Sequence, residues 1–223
     1  MNWAKARGFV TITNPCDSVK TIKTASRARA PGDVDYFPFY KWLVQKKRTM
    51  HLAAIEIAYL CGSRQQDVLR LLEHRPFRPK DDDCYVTPEG LHIWQAKTGK
   101  VQLKHWTPRL RAAVDMAKAW KKERDIQCPY LICTRTRSRY SRHGFNSIWI
   151  REQNDAHAAG VIARFRFHDL KHKGVTDFEG DKQNFSGHAT RTMVEKYNHG
   201  VDSTATVQKL IPSDVLDASD RDN

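Results

Sequence analysis

Residues 164–199 carry two patterns that any fold has to satisfy together. Phe167, Leu170, Gly174 or Val175, and Phe178 recur at a three-four rhythm, the mark of a helix with one buried stripe. Beside that stripe stand His168 and Lys171, three residues apart, which predicts one shared helix face from which both can address one ligand. A Gly187-His188 pair follows, and then a short helical stretch with Met193 and Tyr197 at i and i+4. A tyrosine ending such a helix can be half-buried with its hydroxyl free. The segment must sit on a core and keep a polar side open.

The order His168-x-x-Lys171, Gly187-His188 and then Tyr197, nine residues past that histidine, resembles the C-terminal signature of the tyrosine recombinases, the phage integrase family. That signature reads His-x-x-Arg, Gly-His and a nucleophilic tyrosine, so Lys171 stands where the family has arginine.

A second stretch is similar to the same family. In CGSRQQDVLRL, Gly62 suits a left-handed helix C-cap, and Ser63 with Gln66 forms an S-x-x-Q capping box. This predicts Arg64 at the first helical position, where free backbone N–H groups favour an anion and a guanidinium adds a bidentate fork for phosphate oxygens. Asp67, one turn on, is placed to orient Arg64 from behind. Taken alone, the pair reads equally as a surface Arg–Asp contact worth a few tenths of a kcal/mol. The resemblance makes Arg64 the family's first catalytic arginine, in a G-x-R-x-x-E-like motif with Asp for Glu.

The rest of the chain supplies a frame. Helical patterns run over 36–46 and 50–60, the latter with Leu52, Ile55, Ile57 and Leu60 as apolar stripes. Residues 90–106 read as a hairpin: Leu91, Ile93, then Val101 and Leu103 alternate with polar or wide residues, and Thr98-Gly99 marks the turn. Lys97 lies at the edge of that turn. A charged tip is ordinarily just solvated, but the resemblance implies a hairpin lysine that protonates the leaving group, Lys97 first and Lys100 second. An amphipathic helix is expected over 108–124, with Leu110, Ala113, Val114, Ala117 and Trp120 inward. A short strand is expected over 130–134 and another helix over 145–158. Between these last two, Arg135, Arg137, Arg139 and Arg142 make a basic loop around Tyr140. It is either a solvated loop or a contact for a nucleic-acid backbone. Arg164 and Arg166 add charge ahead of His168.

Composition narrows the partner. Lys and Arg total 38 against 25 Asp and Glu, a net charge of +13 and a pI near 9.7. Residues 201–223 are acidic at −3, so the first 200 hold +16. A surplus of that size favours a polyanion, nucleic acid being the commonest. The five cysteines are odd in number and lack CxxC spacing, which suits reduced thiols in a cytoplasm and no zinc site. The longest apolar run, 52–61, is short and broken by Glu56, so no membrane span is expected. Residues 1–32 read as an arm or linker similar to the end of an integrase core-binding domain, 33–200 as the catalytic domain, and 201–223 as an acidic, flexible tail.

Three chemistries compete for the organising stretch. His168 and His172 have the i, i+4 spacing of a helical zinc pair, but HDLKH lacks the following glutamate and lysines crowd it, so no metal is expected. A core histidine and core tyrosine without chemistry are the default for either residue seen singly. The third is phosphoryl transfer through tyrosine, in which several fixed cations activate the phosphodiester without a cofactor. The resemblance implies an α+β, mainly α, tyrosine recombinase catalytic fold with a small antiparallel sheet. It also implies double-stranded DNA as partner, a tetramer on that DNA, and a cytoplasmic, nucleoid-associated location. In the implied mechanism Tyr197 attacks a phosphate, Lys97 protonates the 5′-hydroxyl, Arg64, Lys171 and His188 bind oxygens, and His168 assists. A type IB topoisomerase-like enzyme and an impaired DNA-binding remnant are the rival readings.

Overall fold

The computed structural model describes residues 2–12, 31–187 and 202–211. Its centre is α3 (Thr49–Cys61), buried at every residue from Met50 to Cys61. A helix apolar on all sides is stable only when other elements enclose it. Here α2 (Asp33–Gln45), α4 (Gln65–Leu69), α5 (Pro108–Glu123) and α7 (Asp169–Asp177) pack around it. The break in its apolar run has a partner. Glu56 accepts from Arg109 of α5 at both oxygens, 2.6 and 2.7 Å, and from the hydroxyl of Tyr36. A buried carboxylate is tolerable only when paired and hydrogen-bonded in this way.

Close approach of α7 to α3 depends on Gly174. A Cβ there would fall 2.2 Å from the Tyr59 carbonyl oxygen. On the far side, α6 (Arg142–Ala158) packs through edge-on aromatics, Phe39 against Trp149 and Phe145 against Phe167. Two helix starts follow from capping hydroxyls. Thr107 Oγ1 accepts from Leu110 N, and Ser141 Oγ from Gly144 N, each satisfying a free N–H of the first turn. The Ser141 cap starts α6 three residues ahead of the expected 145. Short α1 (Asn2–Ala6) precedes these elements in the chain, and α8 (Lys182–Ser186) follows α7.

One sheet lies at the edge, in the order β1 (Tyr85–Val86), β2 (Gly90–Trp94), β3 (Val101–His105) and β4 (Asp202–Thr204). The first three strands are antiparallel, as expected; β4 adds a parallel neighbour to β3. The chain then stays on the body: Val207 is buried and donates its N–H to Leu60 O, and Lys209 pairs with Asp33. Within 202–211, Val207 and Lys209 thus reach the body at Leu60 and Asp33.

Local expectations fail in four places. Residues 130–134 form only isolated bridges, Leu72 with Tyr130 and Cys133 with Arg139, because no neighbouring strand offers them a ladder. Ser63 is not a cap: it is buried, and Arg64 itself is the extended N-cap residue of α4, without a side-chain cap bond. His168 is likewise the residue before α7, not inside it. The fourth concerns β3. Its inward side chains are Gln102 and Lys104, while Val101 and Leu103 are only partly buried. Directly paired residues share a face, and Leu91 pairs with Lys104 as Ile93 pairs with Gln102. Once Leu91 and Ile93 enter the core, register carries the polar pair in with them.

Among the described residues, no helix is long and apolar enough to cross a membrane.

Candidate active site

The site is assembled where the C-terminus of α3, the β2–β3 hairpin and the α7–α8 region meet. Gly62 ends α3 at φ 59°, and a Cβ there would lie 2.7 Å from the Phe185 ring. The chain then turns outward and presents Arg64, half-buried, with Nη1 donating to Gln95 Oε1 at 2.9 Å. Gln95 begins the hairpin loop. Its Nε2 reaches Gln102 Oε1 at 2.7 Å and Ser186 O at 3.4 Å. Arg64 is thus connected through one amide side chain to the end of α8.

Asp67 is 1% exposed, and its Oδ1 accepts from Ala96 N at 3.3 Å, fastening the hairpin base to α4. It hydrogen-bonds the hairpin and acts on Arg64 through charge alone. Burial raises its carboxyl pKa, against the pull of the Ala96 N–H and of Arg70, Arg64 and Lys171. Lys97 is exposed at the loop tip, where Gly99 supplies a left-handed residue at φ 68°.

Lys171 is 2% exposed, and its Nζ donates to Ser186 O at 2.7 Å. Burial draws it down to about 8, helped by Arg64 and Lys97 and opposed by Asp67. His168 is exposed, and its ring meets that of His172 edge-on at 5.2 Å. Its pKa is lowered by desolvation first, then by His172, Lys171 and Arg64. The pair expected to share one surface is therefore split: His168 faces out and Lys171 faces the end of α8. His168 keeps helical dihedrals (φ −63°, ψ −26°) and its carbonyl accepts from Lys171 N at 3.2 Å, so the difference lies in what surrounds the two side chains. Still, Arg64 and Lys171 act on His168 through charge, and Arg64 and Lys97 on Lys171, so His168 and Lys171 each lose proton affinity to cationic neighbours.

His188 and Tyr197 lie outside the described residues, but Gly187 does not. It adopts φ 65°, and a Cβ there would sit 2.0 Å from Gln95 Nε2. Arg135, Arg137, Arg139 and Arg142 are all exposed, Arg137 at positive φ (61°). Arg164 and Arg166 are exposed too, Arg164 donating to Asn154 Oδ1 at 3.0 Å. No cluster of three or more His, Cys, Asp or Glu suited to a metal occurs among the described residues.

Three polar residues beyond those expected enter the site: Gln95, Gln102 and Lys104. Lys104, 1% exposed, donates to Phe185 O at 2.6 Å, and burial draws it down to about 7. The signal for Gln102 and Lys104 was in VQLKH, where two polar residues alternate on the strand face opposite Leu91 and Ile93 only until register is considered.

No protein-family model matches the chain, and no curated protein matches it. Solved structures do. The lambda integrase tetramer bound to a Holliday junction aligns at TM-score 0.62 and 19% identity, over 86% of this chain and 54% of that one. The lambda integrase catalytic core aligns at 0.56 and 16% identity, over 82% of this chain and all of that one. XerA recombinase aligns at 0.50 and 16% identity, over 69% of this chain and 54% of that one. The chain thus spans about half the length of the full integrase it matches, and its fold is that of a tyrosine recombinase catalytic domain.

Proposed function

We propose that this chain is the catalytic part of a site-specific DNA recombinase or integrase, which breaks and rejoins strands through a 3′-phosphotyrosyl link. The observation that supports this reading is that Arg64, from one part of the chain, acts through charge on both His168 and Lys171, and Lys97, from a second part, on Lys171. Arg64 lowers the pKa of both His168 and Lys171, and Lys97 that of Lys171, so an anionic phosphate among these groups would be held by charge.

In this reading the hydroxyl of Tyr197 gives its proton to the neutral imidazole of His168 as its oxygen attacks the scissile phosphorus, and the 5′-oxygen leaves, taking a proton from Lys97. Arg64 supplies a planar fork to the non-bridging oxygens. His188 donates at the same oxygens, and Lys171 adds charge beside them. The 5′-hydroxyl of a partner strand then attacks the phosphotyrosine, so the bond energy is kept and neither ATP nor metal is needed. Double-stranded DNA, a tetramer on it and a cytoplasmic, nucleoid-associated setting belong to the same proposal. So does the division into an arm over 1–32 and a catalytic domain over 33–200. The exposed arginines of the 135–142 loop, with Arg164 and Arg166, serve as backbone contacts.

Incubation with nicked suicide duplexes tests the reading. Covalent protein–DNA adducts are expected, in EDTA as well, and Tyr197→Phe should abolish them while DNA affinity is kept. Adducts that persist in Tyr197→Phe, or that appear only with added divalent metal, would overturn it.

A further inference from the structure

The last turn of α8 has a feature that folding alone does not require. A helix end leaves its final carbonyls without intrahelical partners, and solvent ordinarily satisfies them. Here three successive carbonyls each have a dedicated side-chain donor. Asn184 O accepts from Gln102 Nε2, Phe185 O from Lys104 Nζ at 2.6 Å, and Ser186 O from Lys171 Nζ at 2.7 Å. Gln95 adds a second contact to Ser186 O and closes the space beside Gly187.

The donors come from β3 and α7, elements far apart in sequence. Lys104 is the costliest of them. It is 1% exposed on a strand face whose other partners, Leu91 and Ile93, are apolar. A leucine or methionine would fill that space without taking an ammonium out of water. What only the ammonium adds is a donor and a positive charge at the negative end of the helix. Its Nζ also lies 4.5 Å from the Phe185 ring centroid, and that ring stacks on Phe178 at 4.2 Å and rests against Gly62. Lys104 therefore joins the α3 terminus that carries Arg64 to the α8 terminus that leads into Gly187-His188.

We infer that Lys104 is a positioning residue: from the buried face of β3 it holds the end of α8 and so fixes where the chain leaves Gly187 toward His188 in sequence. The inference rests on the recombinase reading for its catalytic consequence, and on the hydrogen bonds alone for the clamp. The groups facing Lys104 are Cys61 from α3, which raises its pKa, and Lys171 from α7 and Lys100 from the hairpin, which lower it. With the ammonium drawn down to about 7, its charge changes near neutrality.

The test uses the full chain with Lys104→Met and Gln102→Leu. It follows backbone hydrogen exchange over 184–190, DNA affinity, and single-turnover adduct formation against pH. Lys104→Met should keep DNA affinity, speed exchange over 184–190 by about ten-fold and slow adduct formation by roughly a hundred-fold. It should also flatten the part of the pH profile expected of the parent near pH 7, leaving the fall around pH 8 that Lys171 contributes. A merely space-filling lysine would leave that pH profile unchanged. Unaltered exchange over 184–190, or an unaltered adduct rate and pH profile, overturns the inference. If Lys104→Met does not fold, Gln102→Leu decides by the same exchange readout at Asn184. A parent chain that forms no adducts sinks the recombinase reading, and the exchange result then decides the clamp alone.

Discussion

Gly174 of α7 lies so close to Tyr59 of α3 that a methyl group on it would fall 2.2 Å from the Tyr59 carbonyl oxygen. The two helices meet backbone to backbone, and that contact seats Lys171 beneath the site. Gly174→Ala should push them apart and lower stability by about 1–3 kcal/mol, the range for an overpacked core. Urea unfolding measures this. An unchanged midpoint would mean that the helices have room to spare.

Arg109 and Glu56 form the buried ion pair that completes α3. Arg109→Met should cost about 3–5 kcal/mol by leaving the carboxylate unpaired. Adding Glu56→Leu should recover most of that loss, because the stranded charge is then gone. A double variant as unstable as the single one would show that Arg109 matters through another contact, such as its bond to Lys209 O.

Stability should rise with pH just above neutrality. Lys104 and Lys171 are lowered to about 7 and 8 in the folded chain from an ordinary 10.5. Between those values the unfolded chain binds more protons than the folded one, so raising pH favours folding. Cys61, raised to about 12 from 9.0, opposes this only once unfolded thiols ionise. The window is therefore about pH 7 to 8.5. Thermal melts across it should show a rise that is reduced in Lys104→Met. A flat or falling parent profile contradicts the burial of both ammonium groups.

Lys171 donates to a single carbonyl in an enclosed position, a geometry fitted to an ammonium. Lys171→Arg should therefore lower single-turnover cleavage, because a planar fork overfills the space between α7 and α8. Lys171→Ala should lower it as well, by losing charge. An arginine variant about ten-fold faster than the parent would show instead that the pocket is built for arginine.

The exposed arginines at 135, 137, 139 and 142 give an expectation for DNA binding. Replacing two of them with alanine should weaken binding equally for all sequences and reduce the salt slope by about 1.8 if both contact phosphates. Titrations at several salt concentrations measure that slope. A loss confined to one sequence would indicate base contacts.

Much of the frame was legible before any coordinates. The apolar stripe of 50–60, the α5 inner face, the hairpin with Lys97 at its tip and the left-handed Gly62 all rest on near neighbours in sequence. Periodicity and capping report such relations directly. The order of Arg64, Lys97, His168 and Lys171 was legible too, because a motif is itself a sequence relation. What tertiary structure decided was orientation. Whether Val101 and Leu103 or Gln102 and Lys104 enter the core depends on pairing with β2, and a one-residue shift in register reverses the answer. Lys171 is buried against Ser186 O of α8 while His168 stays exposed, although both follow one helical turn, because only long-range packing places α8 beside α7. Residues 202–211 read as an acidic extension, yet Val207 and Lys209 reach partners at Leu60 and Asp33, far away in the chain. The amino-acid order determined which groups are present and which segments are helices. Long-range packing alone determined that lysines at 104 and 171 turn inward to hold the end of a helix.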